Sequence, residues 1–121
     1  MKIFKVEEYI NMENPNPGMP YRPEILTDEH KTRGLGGMFG FLAPGNQVPY
    51  HYHSNRESII IVISGEAIEV IEGEEIPINA GDVLYIPAGE KHATLNRSDK
   101  DFRYLEFFTY PPVSADFIEV K

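Results

Sequence analysis

From Leu35 to Tyr110 the chain is a succession of short apolar or alternating segments, each closed by Gly, Pro, Asn or Asp. No other feature constrains the fold as much, because short strands broken at close intervals by turn residues build sandwiches and barrels and call for no helix. The segments read as strands near Gly37–Ala43, Gln47–His53, Glu57–Ser64, Ala67–Glu72, Glu75–Ile78, Asp82–Pro87, His92–Asn96 and Phe102–Tyr110. Glycines in "SGEA", "EGEE" and "NAGD" fall between them, where hairpin turns often require positive φ.

The stretch "NMENPNPGMPYRPE" ahead of these segments holds four of the ten prolines, a composition hostile to helix, and reads as an irregular arm. At 121 residues the chain suits one domain. The expected organisation is an N-terminal arm and loop over 1–34, a β-barrel core over 35–110 and a C-terminal tail over 111–121. The first ten residues offer Ile3, Phe4, Val6, Tyr9 and Ile10, too many apolar side chains for a free tail. A homodimer that uses this segment and a barrel sheet face would cover them.

A formal charge of −8 with no basic cluster argues against a nucleic-acid partner, whose nonspecific binding rests on Lys and Arg. The longest aliphatic run, Ile59 to Ile63, is far short of the roughly 20 residues that cross a bilayer, so no membrane partner is expected. Met1 to Ile10 has neither an apolar h-region nor a small-residue cleavage site, and a cytoplasmic location is the expectation. The absence of cysteine excludes disulfides and thiolate metal sites.

Chemistry concentrates in "PYHYHSNRESIIIVISG", residues 49 to 65. Side chains alternate along a strand, so His51 and His53 share one face while Tyr50 and Tyr52 share the other. Two imidazoles at i, i+2 can present two nitrogens to one metal ion, and Glu57 on the next strand could add an oxygen. His30, in "TDEHKTRG", reads as a loop residue without a role in chemistry. The acidic stretch Glu66, Glu69, Glu72, Glu74 and Glu75 reads as a solvated edge that discourages strand pairing. Phe39, Phe41, Tyr104, Phe107 and Phe108 lie on flanking strands, where aromatics fill barrel interiors, although strand parity sends some of them to the other face.

Here the sequence resembles the cupin superfamily. The first motif of that family, G-x5-H-x-H-x3/4-E-x6/7-G, reads Gly45, "NQVPY", His51-Tyr52-His53, "SNR", Glu57, "SIIIVIS", Gly65. The second, G-x5-P-x-G-x2-H-x3-N, reads "GDVLYIPAGEKHATLN", from Gly81 through Pro87, Gly89 and His92 to Asn96. The resemblance spans Gly45 to Asn96 and implies an all-β cupin barrel, a double-stranded β-helix or jelly roll, whose mouth holds a metal. It implies His51, His53, Glu57 and His92 as ligands for one divalent ion per chain, iron, manganese, nickel or zinc. One departure affects Glu57. With seven residues before Gly65, parity puts Ser58 where the six-residue version of the motif has its carboxylate, unless a bulge turns Glu57 inward.

A metal held this way keeps open positions for a small-molecule ligand or substrate. Similar cupins include dioxygenases, decarboxylases, isomerases and lyases, and the leading expectation is a metal-dependent oxygenase or isomerase. The alternative is a noncatalytic small-molecule binding or sensing module, because the only further acid or base candidates are Glu57, Tyr85 and Glu106.

Overall fold

Alternation across a pleated strand gives each segment one face to bury, and the chain satisfies these faces by closing two five-stranded sheets around a shared interior. The computed structural model describes residues 1–121. The strands are β1 (Glu24–Leu26), β2 (Leu35–Leu42), β3 (Gln47–Tyr52), β4 (Ser58–Ser64), β5 (Glu66–Ile71), β6 (Glu74–Asn79), β7 (Val83–Ile86), β8 (His92–Leu95), β9 (Phe102–Thr109) and β10 (Ile118–Glu119). One sheet runs β1-β2-β9-β4-β7 and the other β10-β3-β8-β5-β6. All strand pairings within them are antiparallel.

The eight strands expected from the sequence are present within a few residues of the expected bounds. Four elements are additional: β1, β10, a short helix, α1 (Val6–Asn11), in the arm, and a 3-10 turn over Asp28–His30. No helix is long and apolar enough to cross a membrane.

Parity decides the interior. On β9, Phe102, Tyr104, Glu106 and Phe108 are buried on one face, opposite Met38 and Leu42 of β2 and Ile60 and Val62 of β4. Gly40 pairs with Tyr104, and a Cβ there would come within 2.0 Å of the tyrosine ring, so the missing side chain is what admits the ring. Gly65 closes the β4–β5 hairpin at φ +83, a conformation glycine adopts freely. Its missing Cβ would also meet the Asp101 carbonyl at 2.3 Å.

The outward-facing Phe39, Phe41 and Leu105 are buried as well, because the arm lies on them. The Tyr9 ring sits 4.7 Å from Phe39. Arg103 stacks its guanidinium 4.2 Å over Phe41 and donates to the Tyr9 and Met12 carbonyls at 2.5 and 2.7 Å. Of the flanking aromatics, Tyr104 and Phe108 therefore face the interior, while Phe39, Phe41 and Phe107 pack beneath the arm.

Candidate metal centre

The pairing of β3 with β8 shifts register between Val48 and His51. Such an irregularity re-aims the side chains beyond it, and past it His51 and His53 both point inward. His51 pairs with His92 on β8. The ring centroids lie 4.8 Å apart for His51–His53, 4.2 Å for His51–His92 and 5.4 Å for His53–His92. One ring nitrogen from each lies within 4.8 Å of the other two.

Each imidazole is held by a backbone carbonyl. The Nδ1 of His51 meets the Pro49 carbonyl at 2.5 Å, that of His53 the Asp116 carbonyl at 2.6 Å, and that of His92 the Glu90 carbonyl at 3.0 Å. A carbonyl only accepts, so each Nδ1 carries the proton and each neutral ring keeps a lone pair on Nε2. Burial keeps the rings neutral. It depresses the His51 pKa to about 3, helped by the neighbouring His92. Burial also lowers His53, with the Arg56 charge adding to it, and lowers His92, with Arg22 adding to it. Three neutral imidazoles with oriented lone pairs suit a first-row divalent ion.

Glu57 is not brought to this triangle. Its carboxylate is exposed and accepts the Tyr85 hydroxyl at 2.6 Å. Its backbone continues the β4–β9 ladder, donating to Thr109 Oγ1 at 3.0 Å and accepting from the Thr109 N–H at 3.1 Å, so no bulge rotates the side chain inward. The chain adopts the Ser58 register: Ser58 is 3% exposed, pairs with Phe108, and its hydroxyl is buried without a partner. His30 lies in a 3-10 turn away from the site, and its Nδ1 accepts the Thr27 N–H at 2.9 Å.

The tail completes the surroundings. Arg56, 1% exposed, donates to the carbonyls of Thr109, Tyr110, Pro112, Val113 and Ala115 and stacks 4.3 Å over Phe108. The Asp116 carboxylate accepts the backbone N–H groups of Ser54, Asn55 and Arg56 at 2.7, 2.7 and 3.1 Å. Phe117 then stacks on His51, with centroids 4.0 Å apart and planes 15° from parallel. The residues after the second histidine and the end of the chain thus fix each other.

Sequence reasoning missed two interior polar groups, Glu69 and Arg22, which join Glu106, one of its acid or base candidates. Glu69, expected on a solvated edge, is instead 1% exposed on the inner face of β5. The Thr94 hydroxyl donates to its carboxyl oxygens at 2.8 and 3.0 Å, and burial pushes its pKa up to about 8. It shares parity with Ala67 and Ile71, the signal that could have placed it inside. Glu106 is buried on β9, and its charge reaches His53 and His92. Arg22 enters from the arm. The strand-like bonds of Tyr21 to Phe41 and of Phe39 to Pro23 flank it and hold its backbone along β2.

Two sheets closed around inward-facing histidines define a double-stranded β-helix barrel with a three-histidine set that could bind a metal. The chain belongs to the cupin family, because residues 38–108 match the family model described as Cupin domain. No curated protein sequence matches it. Among solved structures, a protein with a double-stranded β-helix domain from Klebsiella pneumoniae is 27% identical over all of this chain and 99% of its own, with a TM-score of 0.77. A predicted oxalate decarboxylase from Thermotoga maritima is 26% identical over 76% of this chain and 81% of its own, at 0.70. A cupin-superfamily sugar phosphate isomerase from Silicibacter pomeroyi is 26% identical over 75% of this chain and 60% of its own, at 0.65.

Proposed function

We propose that His51, His53 and His92 hold one divalent transition-metal ion per chain, and that the barrel is an enzyme that isomerises a small organic molecule carrying two adjacent oxygens. The observation that carries this reading is the three buried imidazoles, each pinned through Nδ1 to a backbone carbonyl so that their remaining nitrogens converge. When bound, the ion supplies Lewis acidity to a substrate oxygen. The chain supplies the rest.

Glu106 is the proton carrier of this proposal. It is buried, its charge reaches two of the three histidines, and none of the chain's ion pairs involves it. A carboxylate so placed takes a proton from the hydroxyl-bearing carbon beside a carbonyl and returns it to the carbonyl carbon, while the hydroxyl proton passes to the former carbonyl oxygen, which leaves atoms and electrons balanced without an oxidant. Phe117, flat against His51, keeps water from one side of the site. The similarity to a sugar phosphate isomerase supports this choice over oxygenation.

Two measurements test it. Elemental analysis of protein purified without an affinity tag and reconstituted with iron, manganese, nickel or zinc should find about one ion per chain, lost in His51→Ala and His92→Ala and kept in His30→Ala. Glu57→Gln should hold metal within about twofold of wild type, since its side chain faces solvent. In deuterated water, the metal-loaded protein should exchange protons beside the carbonyl of small hydroxyketones, followed by NMR, and Glu106→Gln should stop this while keeping its metal. Failure to take up any of the four ions refutes the site. Full metal occupancy without exchange refutes the isomerase and leaves a binding module.

A further inference from the structure

The interior beside the histidines holds a cation, Arg22, on which the Glu106 carboxylate acts without forming an ion pair. Arg22 comes from the arm, not from the barrel, and its Nε is closed off from water with no hydrogen-bond partner. No carboxylate lies within ion-pair distance of it, whereas Arg97 and Arg103 both have one. Its guanidinium sits 5.9 Å from the Phe117 ring, the ring stacked on His51. Arg22, Phe117 and His51 therefore follow one another into the site.

The neighbourhood suits a cation. The Tyr104 hydroxyl and the Glu106 carboxylate surround Arg22, and together they more than offset the burial that works against its charge. Tyr104 reaches this position because Gly40 opposite it has no side chain. Arg22 is also close enough for its charge to depress both His51 and His92. Burying an arginine is costly unless something completes its hydrogen bonds. Its planar fork matches a carboxylate, which it can bind through two parallel hydrogen bonds. Elsewhere the chain satisfies its buried arginine fully, as the five carbonyls around Arg56 show. Around Arg22 the Tyr104 hydroxyl supplies a side-chain hydrogen bond, and Nε is left without a partner.

We infer that Arg22 is the anion-binding residue of the site and that the ligand is a small 2-hydroxy or 2-oxo carboxylate, its carboxylate on the guanidinium and its neighbouring oxygen toward the histidines. This rests on the metal-site reading above, independently of the isomerisation, and assigns the charge that the ligand of that site carries. It also gives the arm a second role. Besides covering Phe39 and Phe41, the arm delivers the residue that selects for charge.

Glycolate and its neutral analogue glycolamide are suitable probes, with calorimetry on the full chain loaded with zinc, which is redox-silent. Wild type should bind glycolate at least about tenfold more tightly than Arg22→Gln, the loss expected for a charge-assisted pair. Glycolamide should bind the two proteins equally. Arg22→Lys should recover part of the glycolate affinity, which separates loss of charge from loss of fold. Zinc content and the thermal melt are read on every sample.

Equal glycolate affinity in wild type and Arg22→Gln, both carrying zinc, overturns the anion site and leaves the metal site standing. Absence of measurable glycolate binding to zinc-loaded wild type at millimolar concentration overturns it too. If zinc is not taken up by wild type, the metal reading falls, and the same comparison on metal-free protein decides the anion site. An Arg22-dependent difference there upholds it, and none overturns it.

Discussion

Replacing Glu69 with Gln should flatten the pH dependence of folding on the alkaline side. The Glu69 carboxyl is buried against the Thr94 hydroxyl, and its pKa rises from 4.5 to about 8. Between those values the folded chain retains a proton that the unfolded chain has released. The stabilisation is therefore complete below about pH 4.5 and is lost as pH rises through about 8, at about 1.4 kcal/mol per unit. By pH 7 the wild type has lost about 3 kcal/mol from this group, a large share of an ordinary domain's stability. Glutamine cannot ionise. It can still bond Thr94, and any hydrogen left unpaired costs the same at every pH. The assay is urea denaturation of metal-free wild type and Glu69→Gln from pH 5 to 7.5, where the stability difference should change by about 3 kcal/mol in favour of the variant. His51 works in the opposite sense, since its depressed pKa gives stability that is present above about pH 6.5 and lost as pH falls toward 3. It does so equally in both proteins and cancels. Parallel curves would refute the reasoning and mean that Glu69 is ionised inside the barrel.

Asp116→Ala should cost about 1–2 kcal/mol in a thermal melt, because three backbone N–H groups lose a charged acceptor. Zinc affinity should fall about tenfold with it, since the Asp116 carbonyl orients His53; unchanged zinc affinity would show that the tail does not position the ligand. For the homodimer we propose one face of the barrel. Leu35, Ile59, Val83 and Tyr85 are exposed, Ile59 pairs with Tyr85 and Ile61 with Val83, and Phe4 lies 6.2 Å from Phe107. Light scattering should find a dimer for the full chain and a weakened one without residues 1–10. A monomer at high micromolar concentration would rule it out, and an unchanged dimer after truncation would remove the arm from the interface.

The barrel was legible because its strands carry their own signals. Segments such as "SIIIVIS" and "FRYLEFFT" are long enough to show their apolar character and alternation whatever their partners are, and Gly65 or Pro111 marks where each stops. The elements that escaped lack such signals. β1 has three residues, β10 has two and α1 has six, each too short to be stable alone, and each forms because the barrel gives it a surface. β10 exists because Ile118 and Glu119 find Tyr52 and His51 on an open edge of β3, a partner more than sixty residues earlier in the chain. Proline-rich composition marked the arm as irregular but not where it lies. Its position depends on Phe39 and Phe41, which face outward and must be covered.

The site divides along the same line. His51 and His53 follow from spacing, and His92 follows from the second motif, because a ladder partner of His51 has to share its face. Glu57 against Ser58 could not be decided from spacing, since parity reverses with one residue of register, and the choice rests on the Thr109 bonds that hold Glu57 extended. Glu106 was within reach as a carboxylate at a core parity between Tyr104 and Phe108. Arg22, Asp116 and Phe117 were not, because none lies on a strand adjoining the motifs and each reaches the histidines only after the chain has closed. That separation has a functional consequence. The barrel motifs carry the imidazoles, while the arm and the tail bring Arg22, Asp116 and Phe117 against them, so a change at Asp116 or Phe117 reaches His53 or His51 through contacts that no barrel motif contains.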